Sequence, residues 1–84
     1  MTDEILKIVS RDFDETQRVL VIEELSSIEL SHVMTDSQYN LENTRMAILA
    51  LANGDLNKVK YFTDKAKTDF RDVILWASDE PPEK

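Results

Sequence analysis

His32 is the only histidine in this 84-residue sequence, and so the only side chain whose ordinary chemistry changes charge near neutral pH. A catalytic base needs a group that orients it and a nucleophile within reach. Around His32 stand Ser31, Val33 and Met34, with Asp36 a nearby carboxylate. A metal ligand needs companions, and these neighbours are poor ones. His32 instead continues the spacing of Val21, Leu25 and Ile28, at the end of one apolar helix face. A helix dipole there favours the charged imidazole. The carboxylates Glu23-Glu24 and Asp12/Asp14 read as solvated faces and caps, because acid-pair chemistry needs a cleft that a small bundle rarely has. One glycine cannot build a phosphate loop, and the absence of cysteine removes disulfides, thiolate zinc sites and thiol nucleophiles. These features point to a protein that is not an enzyme, with no cofactor, no metal and no evident small-molecule substrate.

The stretch TDFRDVILWA, Thr68 to Ala77, gathers Asp69, Arg71, Asp72 and Trp76. On one continuous helix, Phe70, Val73 and Ala77 face the core. Asp69 and Trp76 share one edge of that stripe, while Arg71 lies near the other, so the polar groups do not converge. The bland reading has Trp76 covering the core edge and Arg71 pairing with acids of another helix. Tyr61 and Leu75 face away from the seam on the same side, two heptads apart. Exposed tyrosine, tryptophan and arginine favour interfaces, so Tyr61, Leu75, Trp76 and Arg71 are the candidate protein-interaction residues.

The elements that position them are helices. Thr2 caps a short helix from Asp3 to about Arg11, with Ile5, Leu6, Ile8 and Val9 on its apolar side. Asp14, with Gln17 three residues on, opens a second helix over roughly Glu15 to Leu30. Val21, Leu25 and Ile28 make its main face; Val19 and Leu30 make a weaker one. A loop spans Ser31 to Gln38. Asp36 or Ser37 caps a third helix that runs to Asn53 and is apolar nearly all round: Leu41, Ile48 and Ala52, then Met46, Leu49, Ala50 and Leu51. Such a helix is central in a bundle or covered by another subunit. Gly54 ends it in a left-handed conformation, and Asp55 caps the fourth helix. There Leu56, Val59, Thr63, Ala66, Phe70, Val73 and Ala77 repeat at alternating spacings of three and four. Pro81-Pro82 stops any extension.

Apolar residues make up 42% and charged residues 32% of the chain, as in a folded domain. The net charge of −7 disfavours nucleic acid. From Asp55 to Ser78 five basic residues face four acidic ones; the rest of the chain carries five against thirteen. The longest apolar run, Met46 to Ala52, is too short for a bilayer, and the acidic start is unlike a signal peptide. Absent cysteines lean towards a reducing cytoplasm.

LANGDLNKVKYF, Leu51 to Phe62, resembles the helix-turn-helix of an ankyrin repeat. It occurs once and lacks the T-P-L-H opening, so it reads as an αα-hairpin. Met46 to Ala77 resembles a family of small uncharacterised bacterial helical proteins with the pattern A-I-L-x-L-A-x-G-D-L, then D-F-R-D-V-I-x-W-A. The matches are Ala47, Ile48, Leu49, Leu51, Ala52, Gly54, Asp55, Leu56, Asp69, Phe70, Arg71, Asp72, Val73, Trp76 and Ala77. The resemblance implies a small helical protein and no activity. The acidic four-helix outline is similar to that of colicin immunity proteins, without their tyrosine-rich motif.

The expectation is an all-α fold: a small bundle of three longer helices and a short N-terminal one, in antiparallel neighbours. It comprises a single domain over 1–78 and a flexible acidic, proline-containing tail over 79–84. The expected function is a non-enzymatic protein-interaction module, with a homodimer as one form. The alternative is an acidic inhibitor or antitoxin-like partner of a basic protein.

Overall fold

The computed structural model describes residues 1–32 and 37–78. The expected tail over 79–84, and part of the expected loop, lie outside them. The described residues are all-α and hold no strand.

Four polar side chains start the four helices. Thr2 opens α1 (Asp3–Asp12), its Oγ1 accepting from the Ile5 N–H at 3.3 Å. Asp14 opens α2 (Glu15–Ser26), accepting from the Gln17 N–H at 3.0 Å and the Thr16 hydroxyl at 2.7 Å. Ser37 opens α3 (Gln38–Ala52), accepting from the Asn40 N–H at 3.2 Å. Asp55 opens α4 (Leu56–Ser78), accepting from the Asn57 N–H at 2.9 Å. Each cap satisfies a donor that the first helical turn leaves unpaired.

The helix ends are less local. With one glycine in the chain, two C-termini are closed by arginines from the next helix along. Arg18 of α2 donates through Nε to the Phe13 carbonyl and through Nη2 to the Ser10 carbonyl, both at 2.9 Å, at the end of α1. Arg45 of α3 donates through Nε to the Leu25 carbonyl at 3.0 Å and through Nη2 to the Ile28 carbonyl at 3.1 Å, at the end of α2. α2 therefore stops at Ser26, four residues short of the expected Leu30. Its last turn tightens: the Ser27 hydroxyl donates to the Glu24 carbonyl at 2.6 Å, and the Ile28 N–H to the Leu25 carbonyl at 3.2 Å. A single 3₁₀ turn, Leu30–His32, follows.

α3 lies mainly against α4 and also meets α1, while α2 meets α1 and α4. The buried positions of α3, Leu41, Thr44, Arg45, Ala47, Ile48, Leu49 and Ala52, spread over roughly 200° of the helix. One chain covers that part of its apolar surface; Met46 and Leu51 are half-buried and Ala50 is exposed. The α4 seam is buried at Val59, Thr63, Ala66, Phe70 and Val73, with Leu56 and Ala77 half-buried at its ends. Ile5, Val9, Phe13, Val21, Leu25 and Ile28 complete the core.

Two backbone features depart from the sequence expectation. Asn53 as well as Gly54 is left-handed at the α3–α4 joint, at φ 48° and 85°. Asparagine tolerates that region through its short polar side chain. A Cβ on Gly54 would also stand 3.2 Å from the Asp12 carbonyl oxygen. The second departure is in α4, which is not one continuous helix: Asp69 has φ −157° and ψ 99°. Its Oδ1 accepts from the Arg71 N–H at 3.1 Å, as an N-cap does for the segment 70–78.

Candidate functional site

The break at Asp69 decides what the candidate residues can do together. Phe62 and Trp76 stand seven residues to either side of it. On a straight helix fourteen residues span about 21 Å. The two rings are 6.1 Å apart, in an edge-on arrangement, so the halves of α4 lean towards each other. Tyr61 packs edge-on against Phe62 with centroids 5.1 Å apart, and the Lys65 ammonium stands 5.3 Å from the Tyr61 ring centre. The result is a three-ring group with a cation over its outer ring.

Phe62 is half-buried against the core, whereas Tyr61 is 54% and Trp76 40% exposed. The group is rooted in the protein and open at both ends. Leu75 is 60% exposed beside Trp76. The two-heptad alignment of Tyr61 with Leu75 belonged to an unbroken helix. What the structure brings together is Tyr61 and Trp76, through Phe62.

Arg71 does not pair with acids of another helix. It grips Asp69, two residues back: Nε to Oδ1 and Nη2 to Oδ2, both 3.1 Å. Its side chain remains 63% exposed. The Arg71 side chain and its backbone N–H hold the Asp69 carboxyl below the usual carboxylate range, and Asp69 in turn raises Arg71. Arg71 is thus a brace at the corner of α4, bonded to Asp69.

Phe62 lies two heptads before Trp76, on the edge of the stripe that Asp69 shares, but on an unbroken helix that spacing keeps the two rings about 21 Å apart, so periodicity does not bring them, or Lys65, into one group. The available signal was the Asp69-Phe70-Arg71-Asp72 sequence, an acid followed three residues later by another, as at a helix start. The strong apolar seam running through it argued the opposite.

His32 sits in the 3₁₀ turn, six residues beyond α2, where its Nδ1 accepts from the Glu29 N–H at 2.9 Å. That bond uses the ring nitrogen as an acceptor. The expected helix-terminal imidazole is a turn-closing one instead, because α2 ends at Ser26. Among the described residues no three histidine or acidic side chains gather as a metal site would require. A depression of about 390 Å³ along α1, lined by Asp3, Leu6, Lys7 and Ser10, is open to solvent and holds neither His32 nor the aromatic group. Among the described residues no helix is long and apolar enough to cross a membrane.

The chain matches no protein-family model, no curated protein and no solved structure.

Proposed function

We propose that this chain is a non-enzymatic protein-interaction module, a small helical bundle with α3 and α4 as antiparallel neighbours. It presents the Tyr61–Phe62–Trp76 group, flanked by Lys65, Arg71 and Leu75, to a protein partner or to a second copy. The observation that carries the reading is the aromatic group itself: two large rings held open to solvent by a half-buried third. Rigid aromatics offer contact area at low entropic cost, and interfaces concentrate their binding energy in such residues. The group lies on the part of the chain that escapes the strong negative charge, so a partner meets less repulsion there. The cysteine-free sequence suits a reducing cytoplasm.

Sedimentation from micromolar to millimolar concentration, with hydrophobic-dye binding alongside, tests this. Association or dye binding is expected, and should weaken when Tyr61 and Trp76 are both replaced by alanine. A strict monomer that binds no dye would remove the basis of the proposal. The net charge of −7 supports a second reading, an inhibitor-like partner of a basic protein, which demands salt-sensitive capture of that protein.

A further inference from the structure

We propose that segment 70–78 exchanges between two copies of this chain. α4 straightens at Asp69, and Trp76 of one copy completes the Tyr61–Phe62 site of the other. This rests on the aromatic group as the interaction site and names its partner: a second copy, engaged by exchange.

Three observations carry it. The break in α4 is a single residue, with helix on both sides, so rotation about the Asp69 dihedrals is enough to make the helix continuous. Nothing in the sequence around the break forbids that. From Asp55 to Ser78 there is no proline and no glycine. The seam also keeps its register through the break: Val59, Thr63, Ala66, Phe70 and Val73 follow at spacings of four, three, four and three. Two independent helices would need no common register, whereas one long helix does.

The third observation is the aromatic contact. A straightened chain carries Trp76 about 21 Å along the axis from its own Phe62. The 6.1 Å contact is then lost within the chain, and Phe70 and Val73, now buried, leave the core. A lone straight chain is therefore unfavourable. A second copy straightened in the same way restores each contact, with its own 70–78 segment in the vacated place. Closed and exchanged forms then differ chiefly at the hinge, the usual condition for exchange of an element between copies. What holds the hinge closed is modest and exposed: the Asp69 carboxylate, bonded to the Arg71 N–H and guanidinium.

The decisive variant is Asp69→Ala, which removes that cap and installs a strong helix former. A lost cap is worth about fivefold per hinge and enters twice per dimer, so the dimerisation constant should rise about 25-fold. The natural chain has no cysteine, so Lys60→Cys and Ser78→Cys, both at exposed positions, can carry spin labels. Labelled chains mixed into excess unlabelled ones report the distance within one chain. Eighteen residues of straight helix separate the two Cα atoms by about 27 Å. The expected result is a dimer at millimolar concentration whose intrachain distance approaches that value, against a shorter distance in the dilute monomer. Asp69→Asn, which keeps a capping side chain, should stay close to the wild type.

A dimer that keeps the short distance overturns the exchange and leaves the interaction reading standing. A variant that remains monomeric overturns the exchange too, and dye binding then decides the interaction reading separately. If Asp69→Ala does not fold, wild-type chains refolded from denaturant at millimolar concentration give the same measurement. A dimer with the long distance, dissociating slowly on dilution, supports exchange; a short distance or no dimer overturns it.

Discussion

Replacing Arg45 with methionine should be among the most costly single changes in this protein. Arg45 is 8% exposed and sits inside α3, yet its donors serve α2: the Leu25 and Ile28 carbonyls at 3.0 and 3.1 Å. Its third contact is Glu42 Oε2 at 3.3 Å, on a side chain only 17% exposed whose Oε1 has no hydrogen-bond partner among the described residues. Methionine fills much of the volume and offers no donor. Two helix-terminal carbonyls would lose hydrogen bonds to a charged group, worth about 1.5–3 kcal/mol each. Glu42 would lose its cation. Against this, methionine escapes the cost of desolvating a guanidinium, so the net loss should be about 3–5 kcal/mol. A domain of this size has about 4–12 kcal/mol of stability in all. The melting temperature should fall by about 15–30 °C. Urea unfolding followed by far-ultraviolet circular dichroism measures the loss directly. Arg45→Lys should fall between, because one ammonium cannot span both carbonyls and the carboxylate. Replacing Glu42 with leucine in the methionine variant should recover part of the loss by removing a carboxylate left with the Gln38 amide, at 2.6 Å, in place of a cation. A loss below about 1 kcal/mol for Arg45→Met, or a lysine variant as stable as wild type, would refute the reasoning.

The remaining predictions follow from single contacts. Gly54→Val should cost about 2–3 kcal/mol, since φ is 85° and the new Cβ meets the Asp12 carbonyl oxygen at 3.2 Å. Gly54→Ala should cost less, and urea midpoints give both. Thr63 is 1% exposed and its hydroxyl has no partner among the described residues, so Thr63→Val should be neutral or stabilising by up to about 1 kcal/mol. A clear loss would mean that the hydroxyl is bonded after all. Thr44, equally buried, donates to the Asn40 carbonyl at 2.7 Å, and Thr44→Val should cost about 1 kcal/mol by the same assay. Asp12, Asp14 and Asp69 are all held below the usual carboxylate range: Asp12 by Arg11, Asp14 by Thr16 and the Gln17 N–H, Asp69 by Arg71. Their folded-state values lie below the unfolded ones, so their stabilisation is present above about pH 4 and fades as pH falls through the lowered values. Melting temperatures from pH 6 to 2 should show this, with a shallower acid limb in Asp14→Asn and Asp69→Asn.

The helix starts were legible because a cap is a local device. Thr2, Asp14, Ser37 and Asp55 each reach a backbone N–H two or three residues away, so side-chain type and spacing carry the information. The buried seam of α4 was legible for a similar reason: one face of a helix repeats every three or four residues, whatever it packs against. The end of α2 was not. Its carbonyls are bonded by an arginine 17 and 20 residues further on, and nothing near Leu25 or Ile28 announces it. Arg45 itself looked like an ordinary charged residue on a helix.

Of the four candidate residues, Tyr61 and Trp76 are joined through Phe62, Arg71 braces the corner of α4 at Asp69, and Leu75 is exposed next to Trp76 in sequence. Periodicity could not arrange them so, because it assumes a straight axis. At Asp69 two local signals conflicted. The cap signature, Asp69 with Asp72 three residues on, called for a new helix, and the unbroken apolar register called for the old one to continue. Local chemistry and helical period alone determined an all-α chain, where its helices start to within a residue, the turn at Gly54 and the apolar face of each helix. Tertiary packing decided where α2 ends, that Arg45 is buried and which way α4 turns at Asp69. Each of those depends on the free energy of groups far apart in sequence, and such groups become neighbours only when the chain has folded.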